Sequence, residues 1–397
     1  MVKDKSFVVV ENLPKKIDLR RIGGIVKTGK VAQNLEFRTQ NFKRVYEFLE
    51  EKFSGKKSKQ IFGISVYPEN NQTLKTLLVG AKKFLKAEGI SARFVNKNFT
   101  NLSSAQSEFE VVKKKGVEIL AGQAGKNFCF AELTAVQPFE SYKARDYEKP
   151  ARDARVGMLP PKLAQIMVNL VCSDQLAVSR NFEKNSKLQT ANSKLLTVYD
   201  PFCGTGTILV EAALLGYQVL GSDIDARMVE FSKRNLEALN LKGEVFLHDA
   251  TRSPLSRGQE FDIVVTEGDL GPPRKTIPEE KVRVKIFNDL RRLYTQFFAW
   301  LNCSRVVITF PVYCEQGRGK FFSSDVIIPA VEKLGWRKQG QERLVYSRPQ
   351  QTVGREIVVF GNFKSQISNK IQISNIKPCL DSRLRGNYFW TPARGPG

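Results

Sequence analysis

The sequence predicts an α/β chain in two parts: a mostly parallel seven-stranded sheet covered by helices in the second half, preceded by a smaller α/β module. Three observations predict it. From residue 195 onward short apolar strands alternate with helical segments, the pattern of βαβ crossovers. A glycine turn, DPFCGTG (200–206), ends the first of those strands and opens a helix. The first half also alternates strand and helix patterns, then breaks off at a charged connector.

In that first half FVVVE (7–11) is a predicted strand. QNFKRVYEFLEEKF (40–53) is a predicted helix, with Phe42, Val45, Tyr46 and Leu49 at helical spacing. IFGISVY (61–67) is strand-like, TLKTLLVGAKKFLKAEG (73–89) is a helix ending at Gly89, and ARFVNK (92–97) is a strand. A Ser-capped helix covers 103–115, and VEILAG with FCFAELTAV closes the module as a hairpin. The connector YKARDYEKPARDARVG (142–157) carries mixed charge and proline, which marks a boundary. The expected divisions are a short N-terminal segment 1–54, a module 55–142, a linker 143–158, a large domain 159–364 and a tail 365–397.

MLPPKLAQIMVNLVC (158–172) is a helix that tolerates Pro160 and Pro161 in its first turn, and 175–194 is polar and loop-like. Strands follow at 195–200, 218–223, 244–249, 261–267 and 305–310, separated by helices at 206–216, 225–240, 279–301 and 324–335. Two strands, 342–347 and 355–362, close the domain. Strands apolar throughout imply helices on both faces of the sheet. In helix 279–301 the face with Val284, Phe287, Leu290, Tyr294 and Phe298 has core spacing. The tail repeats QISN without a usable period and is expected to be disordered.

Hydrophobic residues at 42% and aromatics at 10% of 397 residues suit a globular protein with packed cores, not a disordered chain. No stretch approaches a membrane span, and Phe7–Val10 is too short for a signal-peptide core. Six scattered cysteines without a CxxC pair argue against a disulfide framework or a zinc ribbon and point to the cytoplasm. One histidine, His248, cannot make a metal site, so no metal is expected. The net charge of +23 attracts polyanions. Residues 1–150 hold 28 Lys and Arg against 16 Asp and Glu, whereas 201–300 hold 13 against 14. That split suits nucleic-acid binding by one module and chemistry by another. Lys82, Lys83, Lys86 and Lys113 to Lys115 are candidate backbone contacts, though a solvated helix face has the same appearance.

Glycines 204 and 206 let backbone amides approach a ligand that a Cβ would block, and the helix N-terminus adds positive potential. Asp200, at the strand end, suits the ammonium of a methionine moiety and would repel a pyrophosphate. S-adenosyl-L-methionine is therefore favoured over a dinucleotide. Asp223 ends the next strand, placed to bind both ribose hydroxyls, with Ile224 beside it for the adenine face. Asp249 ends the third, where a carboxylate accepts the adenine amino group. Phe202, Thr207 and Ala250, beside these groups, complete the candidate cofactor set. Each acid alone reads as a solvated strand end, but three in register with a glycine turn converge on one crevice.

DPFCGTGTILVEA (200–212) closely resembles the RNA guanosine N2-methyltransferases that join a THUMP domain to a Rossmann-like class I catalytic domain, above all the tRNA guanosine-10 branch. KPARDARVGMLPPKLAQIMVNL (149–170) and YSRPQQTVGREIVVF (346–360) extend the resemblance over about 145–362. Over 55–142 a weaker likeness marks FGISVY and FAELTAVQPF as THUMP-like, and the first fifty residues resemble a shortened N-terminal domain. The resemblance implies methyl transfer to the exocyclic N2 of a guanosine in structured RNA, most naturally tRNA. It also places the proline-rich connector at the border of the active site.

Amino methyltransferases of this type carry an acceptor, two prolines and an aromatic after the fourth strand. The acceptor and a backbone carbonyl bind the amine hydrogens and aim its lone pair, so catalysis is mainly positioning. A base in a duplex must first be extruded. Here the segment is TEGDLGPPRK (266–275). Glu267 stands at the acceptor position, Gly268 and Asp269 replace the prolines, and Leu270 replaces the aromatic. Glu267 and Asp269 are the candidate catalytic acceptors. The departure leaves open a protein that binds cofactor or RNA without turnover, and the same chemistry on ribosomal RNA or DNA. Arg152, Arg155, Lys162, Arg274 and Lys275 are candidate RNA contacts; the first three could instead contact the cofactor carboxylate, and all are read equally well as salt-bridging or solvated charges.

Overall fold

The structure is a computed structural model that describes residues 2–3, 8–10, 19–22, 25–31, 42–124, 127–153, 158–171, 196–254, 260–315, 320–323, 325–348, 351–362 and 388–392. It divides into two compact units. One comprises Met1–Lys143 with Asp381–Ala393, the other Ala144–Leu380 with Arg394–Gly397.

The first unit holds β1 (Val2–Lys3), β2 (Val8–Val10), β3 (Ile25–Val31), α1 (Phe42–Phe53), β4 (Gln60–Tyr67), α2 (Asn71–Ala87) and β5 (Ala92–Phe94). Next come α3 (Ser104–Gln106), which runs on as a π-helical turn Ser107–Val112, β6 (Val117–Ala124) and β7 (Asn127–Val136). Asn70 caps α2 by accepting the Thr73 amide at 2.9 Å, and the helix buries Leu74, Leu77, Leu78, Ala81 and Leu85. These pack with Val45, Leu49 and Phe53 of α1 and with Phe62, Ile64 and Ile119 of the sheet. The 40–53 periodicity thus marks a core-facing stripe.

Residues 1–54, expected to stand apart, share one eight-stranded sheet with 55–142, through the pairing of β3 with β7. The sequence reading missed β3 because an inward-facing side chain of the strand is charged. Lys27 is buried and donates to Glu118 at 2.6 Å, the Leu102 carbonyl at 2.7 Å and Ser65 at 3.4 Å. A strand that buries an ion pair loses the apolar alternation by which strands are recognised. The tail also differs from expectation. Tyr388–Pro392 forms a strand between β2 and β3, consistent with the strand propensity of aromatic and β-branched residues.

At the division lies α4 (Phe139–Asp146), so the connector begins as helix rather than linker. The second unit continues with α5 (Pro161–Val171), β8 (Thr197–Asp200), α6 (Thr207–Leu214), β9 (Gln218–Asp223), α7 (Ala226–Glu237), β10 (Glu244–Leu247) and β11 (Ile263–Thr266). It ends with α8 (Glu280–Trp300), β12 (Arg305–Glu315), β13 (Lys320–Ser323), α9 (Ile327–Glu332), β14 (Trp336–Tyr346) and β15 (Val353–Asn362). The order is β10-β9-β8-β11-β12-β15-β14, with β13 on β12. Pairings from β10 to β12 are parallel, and those of β13, β14 and β15 are antiparallel. The sheet is therefore mixed and eight-stranded, where a mostly parallel seven-stranded one was expected. The added strand comes from a β12–β13 hairpin whose second arm is only four residues long.

Alternate residues of each strand point to opposite faces. Val198, Val265 and Val307 pack with α5 and α6, while Tyr199, Val264, Val306 and Ile308 pack with α8. Along α8, Phe287, Leu290, Tyr294 and Phe298 are buried as their spacing predicts, but Val284, expected on the same face, is 49% exposed. No helix among the described residues is long and apolar enough to cross a membrane.

Candidate functional site

The carboxyl ends of β10, β9, β8 and β11 lie side by side, and the loops leaving them carry most of the predicted site. Asp200 ends β8 and is only 1% exposed. It accepts the Phe202 amide at 3.2 Å, and Thr266 nearby also favours its anion, yet burial and the nearby carboxylates of Asp223 and Glu267 push its pKa up to about 7. Asp223, at the end of β9, accepts the Gly204 amide at 2.9 Å and the Asp225 amide at 2.9 Å. It thereby ties the glycine turn to the second strand. Burial raises its pKa as well.

The turn needs its glycines for different reasons. Both have positive φ, 52° at Gly204 and 77° at Gly206. A Cβ on Gly206 would meet Ser232 Oγ at 2.9 Å, so α7 packs where a side chain would go. A Cβ on Gly204 would meet nothing within 4 Å. Thr207 opens α6, and Phe202 packs edge-on against Phe297 and Tyr294, which floors the loop. Ile224 beside Asp223 is 74% exposed, an apolar side chain left in the open next to a half-buried acid.

Asp249 sits further out. Its carboxylate accepts the Thr251 amide at 2.9 Å and hydroxyl at 2.8 Å, which lowers its pKa and folds the loop back on itself. Ala250 next to it is buried, its carbonyl accepting the Trp300 indole at 3.0 Å. His248 bonds its neighbour Arg252 through its ring. The register Leu247↔Asp223 sets Asp249 beyond the end of the neighbouring strand.

Glu267 follows β11 directly. Arg355 of β15 donates to its Oε1, and its backbone carbonyl accepts Thr309 Oγ1 at 2.5 Å. Gly268 has φ 73°, and a Cβ there would strike the Tyr294 hydroxyl at 2.5 Å, so the residue in the place of a proline is demanded by packing. That hydroxyl instead donates to the Asp269 carbonyl at 2.5 Å, while the Asp269 carboxylate accepts the Gly271 amide at 2.7 Å. Asp269 thus shapes the loop with one oxygen and stays exposed. Beside it runs a groove of about 900 Å³ lined by Asp269, Pro272, Arg274, Lys281, Lys285 and Leu290.

The structure therefore brings together Asp200, Asp223, Glu267 and the glycine turn, with Asp249 at the edge. The basic candidates are dispersed. Arg274 and Lys275 are exposed on the loop beyond Glu267. Arg152 is exposed and bonds the Tyr147 carbonyl at 3.0 Å, and Lys162 is partly buried near Asp146. Arg155 lies outside the described residues. Sequence reasoning missed two cations at the site. One is Arg355, whose signal was a charged pair inside the apolar VGREIVVF. The other is Lys149 of the connector, whose Nζ donates to Thr205 Oγ1 at 3.0 Å and Thr207 Oγ1 at 3.2 Å. The connector is clamped there by Asn235, which bonds both the amide and carbonyl of Ala151. Arg145 also pairs with buried Glu211 of α6 at 2.6 Å. Among the described residues no group of His, Cys, Asp and Glu could hold a metal ion.

Residues 189–301 match the UPF0020 family model, described as the RMKL-like methyltransferase domain. The matched stretch lies within the second unit. Over 129 residues the chain is 36% identical to a tRNA (guanine(10)-N2)-dimethyltransferase of Methanothermobacter thermautotrophicus, covering 32% of each chain. With the protein of the same description from Pyrococcus abyssi it shares 27% identity over 192 residues, 47% of this chain and 50% of that one. A tRNA (guanine(10)-N(2))-methyltransferase of Schizosaccharomyces pombe is 30% identical over 103 residues, 23% of this chain and 22% of that one. The chain thus spans half or less of the length of these relatives. Among solved structures, TrmN from Thermus thermophilus aligns with a TM-score of 0.42 at 16% identity, covering 82% of this chain and 80% of that chain.

Proposed function

We propose that this protein transfers a methyl group from S-adenosylmethionine to the exocyclic N2 of a guanosine in tRNA. The observation that carries the reading is the pocket of Asp200, Asp223 and Glu267 around a glycine turn, in a domain of methyltransferase type. Two acids with raised pKa values beside an open Gly204 fit a ligand that brings positive charge. The relatives' descriptions supply the substrate class. When bound, the cofactor supplies an electrophilic methyl group on a sulfonium.

The chain's own residues do the rest. Asp200 faces the ammonium and Asp223 the ribose hydroxyls, while exposed Ile224 covers one face of the adenine and Asp249 with Ala250 meets its edge. Glu267 accepts an amine hydrogen of guanine. Arg355 holds one of its oxygens and so fixes the direction of the other, which makes Glu267 an oriented acceptor rather than a mobile acid. Asp269 stands beside the groove as a second acceptor for the base. Arg274 and Lys275 meet phosphates, and Arg152 of the connector and Lys162 of α5 are further candidate RNA contacts, as is Arg155 by sequence alone.

In this reading the first unit is a THUMP-like RNA-binding module and the work is done in the cytoplasm. The chain's charge of +23 supports polyanion binding. The test is transfer of label from tritiated cofactor into total tRNA, followed by nucleoside mass spectrometry. N2-methylguanosine or its dimethyl form is expected. Cofactor binding without label in any RNA would leave a binding protein and refute the enzyme reading.

A further inference from the structure

The acid-rich pocket solves only half of the electrostatic problem posed by an amino-acid head group. Asp200 and Asp223 suit the ammonium and ribose of such a ligand, but a cluster of carboxylates repels the α-carboxylate on the carbon that bears the ammonium. A carboxylate needs a fixed donor nearby, and the described loops offer one in the right place. Lys149 Nζ lies at the glycine turn, 3.0 Å from Thr205 Oγ1 and 3.2 Å from Thr207 Oγ1, at the first residue of α6. An ammonium has three N–H donors. The two threonine hydroxyls accept two of them.

We propose that the remaining N–H of Lys149 anchors the α-carboxylate of the cofactor, so that the connector closes one end of the cofactor pocket. The inference rests on the reading of that pocket as an S-adenosylmethionine site. Three observations support it. First, the lysine is held rather than loose, because Asn235 bonds Ala151 through both backbone groups and also donates to the Thr205 carbonyl at 2.8 Å. Asn235 thus ties the connector to the turn. Second, burial outweighs the nearby acids Asp146 and Glu267 and, with Arg152 adding to the effect, lowers the amine's pKa to about 8. An anion seated against Nζ would restore what desolvation removes. Third, α6 presents its amide N-terminus at the same place, so donor and helix dipole act on one ligand group.

Calorimetric titration of the full chain with S-adenosylmethionine and with its decarboxylated analogue tests this, since the two ligands differ only in the carboxylate. The wild type is expected to bind the intact cofactor roughly tenfold to a hundredfold more tightly, the range for a hydrogen bond between charged groups. Lys149→Met should lose that preference and bind both ligands about as the wild type binds the analogue, and Lys149→Arg should keep part of it. Equal affinities in the wild type overturn the assignment even if the Met variant does not fold. Equal weakening of both ligands by Lys149→Met overturns it too, leaving a purely structural lysine. A wild type that binds neither ligand overturns the cofactor reading itself, and this assignment with it.

Discussion

Asp200 offers the most direct test of the cofactor pocket. With its pKa at about 7, the carboxyl is largely protonated in slightly acidic solution and must ionise to pair with a cation. Affinity should therefore follow its ionised fraction, rising up to roughly 25-fold from pH 5.5 to 7.5, with the ligand's own α-ammonium beginning to deprotonate only at the top of that window. Calorimetry across that range reads the slope directly. Repeating it at pH 6.5 in two buffers of different ionisation enthalpy should show release of most of a proton on binding. Asp200→Asn removes the titrating group, so the Asn variant should bind weakly and with a much flatter pH profile. The same shift acts on the ligand-free protein. A raised carboxyl pKa means that the folded state holds its proton longer than the unfolded chain. The stabilisation is therefore complete below about pH 4 and is lost as the pH climbs through about 7, with a total on the order of 4 kcal/mol. Asp223 shifts in the same direction, but two backbone amides favour its anion and limit its part. An affinity that stays flat from pH 5.5 to 7.5, or an Asn variant that keeps the wild-type slope, would refute the reasoning.

Glu267→Gln should lower methyl transfer to tRNA by about a hundredfold or more, the usual worth of a positioned acid–base group, while the cofactor Kd changes little; single-turnover kinetics beside calorimetry separate the two. Arg355→Met leaves Glu267 without its buried partner and should cost on the order of 3–5 kcal/mol in urea unfolding as well as most of the activity. Gly206→Ala forces an alanine into left-handed backbone against Ser232, so unfolding should show a loss of at least about 1–2 kcal/mol. In the first unit, Lys27→Met strands Glu118 in the core and should destabilise that unit by about 3–5 kcal/mol. The double variant Lys27→Met/Glu118→Leu should recover much of that loss, which thermal unfolding of the pair would show.

Much of the second unit was legible from residues alone, because its pattern is local. DPFCGTG binds nothing unless it follows a strand and opens a helix, and that context is written in the apolar run before it and the periodic run after it. Asp200, Asp223 and Asp249 each end such a run, so chain order already assigned them to strand ends. Glu267 follows the fourth such run, and its assignment came from the acceptor position of the motif in the resembling family. What the sequence could not show was how those ends are held. Arg355 lies 88 residues from Glu267 and reaches it because β12 separates β11 from β15 in the sheet. Lys149 lies in a stretch that reads as linker, and it enters the site through Asn235, 84 residues from Ala151. Lys27 made a strand look unlike one, because its partner Glu118 comes from a strand 91 residues away. Periodicity records which face of an element meets the core, whereas a buried charge is explained by a partner that arrives through long-range packing. Backbone pattern and strand-end acids therefore belong to the sequence, and the cations that answer those acids belong to the fold.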